Sequence, residues 1–335
     1  EQKQQAAELV RKERVSVTLK ENVEKIYIAV KVYGQNHCAE AVIEGQHTRF
    51  IQKLKEGEVI WENTGNTGLP ESTKKDADSL SPSDITMEEI WEFIQDTDSV
   101  SLAFLQEVID VNMAIAEEGL RKDYGLHVGR GIIRNEKGSL IGRDIANTAS
   151  FTTAAAVDAR MAGCTKAVMS VAGSGNQGLT VSLPVLEYAR EYGKSREELY
   201  RALAVANLCA IHQKTAIGKL SAYCGAVTAG SGAGAGIAYL LTGDYKTVAH
   251  TIVNALAIVS GIVCDGAKPS CAAKIASAVD AGILGFEMYR KGHQFYGGDG
   301  ILSKGIENTI RNVGELGRDG MRETDRKILQ IMTRN

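Results

Sequence analysis

The chain has 335 residues, 44% of them hydrophobic and 24% charged, with a net charge of −3. That composition is ordinary for a soluble globular protein, and the near-balanced charge gives no electrostatic reason to expect nucleic acid or a membrane as a partner. Six cysteines with no secretory signal pattern point to a reducing compartment, so the expected location is cytoplasmic and the thiols are expected to be free, ligating or catalytic.

The chain opens in a helical pattern without an initiator Met and reads as a piece of a longer protein. Residues 14–23, 25–34, 38–45 and 47–63 then alternate apolar and polar side chains, as strands with one buried face do. Turn signals at Glu21-Asn22, Gly34-Gln35-Asn36 and Glu56-Gly57 separate them. A small antiparallel sheet backed by a helix is expected. Residues 64–83 read as a polar linker, and Ser83 as the start of a helix with acidic residues in its first turn.

From there the pattern is helical, with helices expected at about 84–95, 99–121, 141–163, 178–192, 195–214, 218–242, 244–262, 269–291, 303–316 and 322–332. Small residues recur at i and i+4, which lets helix backbones approach closely. Ser221 to Gly243 carries no charge, yet it is rich in Gly, Ser and Thr and lies between amphipathic helices. It reads as a buried helix and not as a membrane span. The expected fold class is α+β: a small antiparallel α/β domain over 1–75, then a large all-α domain over 76–335.

Three features could carry chemistry. Cys224, Cys264 and Cys271 each sit among small residues, with Gly225 after the first, Asp265-Gly266 after the second and Pro269 before the third. Pro269 suits the start of a helix, which places Cys271 in a first turn, near unpaired N–H groups that favour a thiolate. Three such thiols can hold three irons of a 4Fe–4S cluster and leave the fourth open. Packing as small buried hydrophobes and a zinc site are the alternatives, although no CxxC pair or fourth ligand is evident. The run Ala172-Gly173-Ser174-Gly175-Asn176-Gln177-Gly178 feeds a helix expected near Leu179. Such a turn offers backbone N–H groups to an anion, a carboxylate as readily as a phosphate, or is simply a tight loop. It lacks the Lys-Ser/Thr of a Walker loop, and no surrounding strand–helix alternation supports a dinucleotide site. His212 and Lys219 lie near Cys224 in sequence and are weak candidates for a catalytic base. Cys38, Cys164 and Cys209 read as packing residues.

The motifs Ala172–Gly178, Cys224-Gly225 and Cys264-Asp265-Gly266-Ala267-Lys268, in that order, resemble the L-cysteine desulfidase family, which is related to the α-part of the iron–sulfur L-serine dehydratases. The likeness extends from Gly45-Gln46-His47-Thr48 to Thr324-Asp325. It implies a 4Fe–4S cluster held by Cys224, Cys264 and Cys271, with the open iron acting as a Lewis acid. It implies that Ser174, Gly175, Asn176, Gln177 and Gly178 bind the substrate, with Ser174, Asn176 and backbone N–H groups on the carboxylate. The activity implied is loss of sulfide from L-cysteine, giving pyruvate and ammonia, with L-serine dehydration or non-catalytic amino-acid binding as alternatives. A homodimer is implied as well. Members of the family also carry a Cys-Thr-Glu-Pro motif and a Gly-Thr-Gly-Met stretch that this sequence does not contain. The resemblance therefore leaves the proton-transfer residue unassigned.

Overall fold

The alternating segments near the N-terminus form one antiparallel sheet. Its strands β1 (Tyr27–Tyr33), β2 (Cys38–Glu44), β3 (Phe50–Lys55) and β4 (Glu58–Glu62) lie in sequence order. β1 pairs with β2 in a regular register that sets Val30 opposite Ala41. At the Glu56-Gly57 turn both φ angles are positive, 53° and 87°, as in the hairpin turn that matches strand twist. A helix α1 (Gln2–Arg11) precedes the sheet. The computed structural model describes residues 2–20, 22–24, 26–63, 85–133, 142, 144–218 and 220–334.

One expected strand is absent. Among the described residues, 14–23 have no strand, and Val17 is 91% exposed. Alternation makes a strand only where a neighbouring edge takes up the backbone N–H and C=O groups, and these residues have none. The expected linker over 64–83, including the start at Ser83, lies outside the described residues.

The helices follow as α2 (Met87–Asp96), α3 (Leu105–Arg121), α4 (Val128–Ile133), α5 (Ile145–Met161), α6 (Gly175–Glu191) and α7 (Arg196–Ile217). After them come α8 (Gly225–Thr242), α9 (Tyr245–Ile258), α10 (Cys271–Arg290), α11 (Ile306–Glu315) and α12 (Arg322–Met332), with a π-helical turn at Leu316–Gly320. The fold is thus α+β with a large helical part. Local chemistry sets many of the starts. Thr86 and Glu89 form a reciprocal capping box at α2, and Ser195 and Glu198 form another at α7. Asp144, Ser174 and Asp244 cap α5, α6 and α9 through their side chains. The short helix α4 was not expected. It sits where the Asp158 carboxylate accepts the N–H of Gly129.

α8 is the buried centre of the helical part, packed by α6, α7, α9 and α10. Its glycines are steric necessities. A Cβ on Gly234 would lie 2.5 Å from the carbonyl oxygen of Gly282, and one on Gly230 would lie 2.2 Å from that of Ala278, both on α10. The two backbones are in contact, which only hydrogen in place of a methyl permits. None of the helices among the described residues is long and apolar enough to cross a membrane.

The chain divides into two compact units, one of residues 1–76 with 330–335, the other of residues 77–329. The three cysteines Cys224, Cys264 and Cys271 and the glycine-rich turn belong to the second.

Candidate active site

Two chain segments about forty residues apart meet just before α8. Tyr223 and Val263 form an antiparallel bridge. Beside it the Cys224 N–H donates to the Ile262 carbonyl at 2.9 Å, and the Cys264 N–H to the Ala222 carbonyl at 2.7 Å. Side chains alternate across such a pair, so Cys224 and Cys264 emerge on one face while Tyr223 and Val263 take the other. Residues 220–224, expected as part of a helix, are thereby kept out of it, and α8 begins only at Gly225.

Cys224 then stands as the N-cap of α8 and Cys271 as the first residue of α10, and neither helix has a side-chain cap. The positive end of each helix dipole is thus left beside a thiol. Each sulfur has one backbone donor. Lys268 N–H points to Cys271 Sγ at 3.5 Å. Ala226 N–H bonds Cys224, and Gly266 N–H bonds Cys264.

Cys224 and Cys264 shift each other in opposite directions. The Cys224 thiol donates to the Cys264 sulfur, and this bond, with the Gly266 N–H and the charge of Lys274, outweighs burial and brings Cys264 down to about 6. The same bond, with burial behind it, pushes Cys224 far above the ordinary thiol range. The interaction thus favours the thiolate at Cys264 over that at Cys224. Cys209 is different in kind: it is fully buried, and desolvation pushes it up to about 12. It packs, as the sequence suggested.

The glycine-rich run is a tight turn. Ala172 and Gly173 both have positive φ, 50° and 80°, and Val171 and Ser174 exchange two backbone hydrogen bonds across them. α6 begins at Gly175, four residues before the expected Leu179. Ser174 Oγ accepts the N–H of Gln177 as the helix cap. Asn176 Oδ1 accepts from the Arg160 guanidinium at 2.9 Å. That guanidinium also lies against Gly175, where a Cβ would come within 2.7 Å of Nε. Gly178 is pressed on the backbone of Met169.

Gln177 links the turn to the cysteines. Its side chain lies across Gly225, where a Cβ would stand 2.5 Å from the amide nitrogen. The residue is 5% exposed, and its Oε1 has no hydrogen-bond partner. Burying an amide oxygen unpaired costs about 1–3 kcal/mol, so such a group marks a place where a donor belongs. The hydroxyl of Tyr223, 1% exposed, is unpartnered as well.

The weak base candidates fare differently. His212 Nε2 faces Glu307 Oε2 at 2.9 Å, and Glu307 in turn accepts the N–H of Met87 at the start of α2. Burial raises the Glu307 carboxyl, but the bonds from His212 and Met87 prevail and leave it below the usual range. His212 thus belongs to a helix-joining contact. Lys219 lies outside the described residues.

Two basic residues at the site were not singled out from the sequence. Arg160 joins the turn, and Lys274 faces the thiols. Arg160 carries no sequence signal, because its role depends on a turn fourteen residues away. Lys274 follows Cys271 by three residues, one helical turn along the same face, and that spacing could have found it.

Among the described residues, no group of three or more His, Cys, Asp or Glu side chains is arranged to hold a metal ion. The three thiols therefore do not converge as a zinc site requires. A 4Fe–4S cluster asks something else, a separate thiolate for each iron it engages. Three sulfurs each with its own N–H donor, at two uncapped helix starts and near a lysine, suit that demand.

Buried helices around a thiol pair, joined to a glycine-rich turn, define a class of helical protein with a small polar site. Within that class, a model of the serine dehydratase alpha chain family matches residues 16–330, and the chain belongs to this family. The family's name is that of a lyase. The chain is also similar to the UPF0597 protein of Desulfitobacterium hafniense, 48% identical over 335 residues that cover 99% of this chain and 75% of that one. The UPF0597 protein of Treponema denticola is 43% identical over 313 residues, covering 92% of this chain and 70% of its own. One from Bacteroides fragilis is 36% identical over 331 residues, covering 98% and 76%.

Proposed function

We propose that the protein is an iron–sulfur lyase that removes sulfide from L-cysteine. The observation that carries this reading is the contact of Gln177 with Gly225, which makes the anion-binding turn and the Cys224–Cys264 pair a single site. Cys224, Cys264 and Cys271 would hold a 4Fe–4S cluster. When bound, that group supplies a Lewis-acid iron to the leaving sulfur.

The remaining work falls to this chain's own groups. The substrate carboxylate fits the N-terminus of α6, where the helix dipole and the adjacent Arg160 guanidinium both favour negative charge. The unpaired Oε1 of Gln177 suits the substrate's ammonium as a donor. Held at both ends, the amino acid presents its β-carbon toward the thiols. It loses its α-proton and its sulfide, and the aminoacrylate released hydrolyses to pyruvate and ammonia. L-Serine would lose water by the same elimination.

Anaerobic loading with iron and sulfide tests the reading. The loaded protein should show a broad visible charge-transfer band and release sulfide with pyruvate from L-cysteine. Cys264→Ala should lose the band while Cys209→Ala keeps it. Gln177→Leu should keep both the band and the fold, since no hydrogen bond is lost, yet bind L-cysteine about tenfold more weakly, or about 1.4 kcal/mol. Absence of the band in the loaded protein sinks the iron–sulfur reading. Amino-acid binding without sulfide or pyruvate would instead identify a non-catalytic member of the fold.

A further inference from the structure

Lys274 sits one turn into α10 with its side chain only 24% exposed. Its ammonium donates to the Val263 carbonyl at 3.0 Å and to Asp265 Oδ1 at 2.5 Å. These two acceptors flank Cys264. One side chain therefore clasps the turn that carries Cys264 and fastens it to the helix that begins with Cys271. A lysine ammonium has three N–H donors, so these two bonds leave one more for the site. The charge also acts on Cys264, Cys224 and Cys271 alike. An exposed Lys–Asp pair alone would contribute little. Here the bond to a backbone carbonyl and the charge's action on three thiols set the pair apart.

We propose that Lys274 is a positioning residue of the thiol site, tying the Cys264 turn to the first turn of α10 and holding a positive charge toward all three sulfurs. Several thiolates brought together repel one another, and a fixed cation offsets that repulsion. A cluster on these thiolates would be harder to reduce without it, because added negative charge would then go uncompensated. The clasp stands on the contacts of the protein alone. The effect on reduction rests on the iron–sulfur reading.

The test compares wild type with Lys274→Met and Lys274→Arg. In unloaded protein, hydrogen exchange at the amides of Cys224 and Cys264 reports the bonds to Ile262 and Ala222. Lys274→Met should exchange there at least tenfold faster, and Lys274→Arg should stay near wild type. In loaded protein, the midpoint potential should fall in Lys274→Met and return toward wild type in Lys274→Arg, which a merely structural role would not produce. Should Lys274→Met fail to fold, Asp265→Ala removes one anchor at the surface, and faster exchange at the same amides is expected. Unchanged exchange in Lys274→Met, or in Asp265→Ala when that variant stands in for it, overturns the clasp. A potential that ignores the charge, or an arginine that restores nothing, overturns the electrostatic half. If wild type takes up no cluster, the iron–sulfur reading fails, while the exchange data still decide the clasp.

Discussion

Cys264 and Cys209 show how far one residue type can diverge with its surroundings. Both are cysteines in largely apolar segments. Burial and the nearby Glu307 carboxylate hold the proton on Cys209 and outweigh an opposing backbone hydrogen bond. Cys264 receives a thiol proton from Cys224, a backbone N–H from Gly266 and the field of Lys274, and these favour its anion. The thiolate is the nucleophile. With the Cys264 pKa lowered to about 6, its thiolate predominates above that pH and is lost below it. Alkylation of the unloaded protein by iodoacetamide should therefore label Cys264 with a midpoint near pH 6, while Cys209 stays unlabelled in the native state. Cys224→Ala removes the donor and should move the Cys264 profile to higher pH. Peptide mapping by mass spectrometry across pH 5–9 checks both. A Cys264 profile centred in the ordinary thiol range would show that Cys224, Gly266 and Lys274 do not favour its anion.

At the scale of elements, the middles of the helices could be read from sequence and their starts often could not. α7 begins at Arg196 because Ser195 and Glu198 form a box that any reader of the sequence can see. α8 begins at Gly225 because Tyr223 pairs with Val263, a contact that no local pattern announces. The same pairing carries Cys224 and Cys264 to one face, so the candidate site was legible as three cysteines but not as a hydrogen-bonded pair. Gln177 was visible as part of a glycine-rich run. Its lack of a partner was not, since that depends on Gly225 lying beneath it. Small residues at helical spacing, by contrast, do announce close helix contact, and α8 meets α10 through them. Gly234→Ala puts a methyl 2.5 Å from the Gly282 carbonyl oxygen, on rigid backbone. Alanine's advantage in a helix is about 1 kcal/mol, and overpacking costs about 1–3 kcal/mol. With backbone on both sides of the clash, the overpacking should win. The expected outcome is a net loss of up to about 2 kcal/mol, read as a lower urea midpoint at unchanged slope. Gly243→Ala, at the exposed left-handed end of α8, makes no such contact and tests whether steric contact or backbone strain is the larger cost.

At the scale of the whole molecule, the two compact units differ in how much apolar surface they can bury. The sheet unit, among its described residues, buries Ile26 and Val42, whereas the helical unit buries a continuous core running from Met87 to Val313. Hydrophobic stabilisation scales with area removed from water, and the denaturant slope scales with area exposed on unfolding. The smaller unit should therefore unfold first and with the shallower slope. The sequence supplies the probes, because its two tryptophans fall one in each unit. Trp61 lies in β4, and Trp91 in α2 packs edge-on against Tyr239 and Tyr245 at 5.5 Å. Trp91→Phe leaves fluorescence that reports the sheet, and Trp61→Phe leaves fluorescence that reports the helical core. Urea titration of the two variants should give separate midpoints, the sheet's at lower urea. Coincident transitions would mean that the chain unfolds as one cooperative body. The cysteines and the glycine-rich turn both lie in the helical unit. The Gly234→Ala substitution should accordingly move the Trp91 transition and leave that of Trp61 in place.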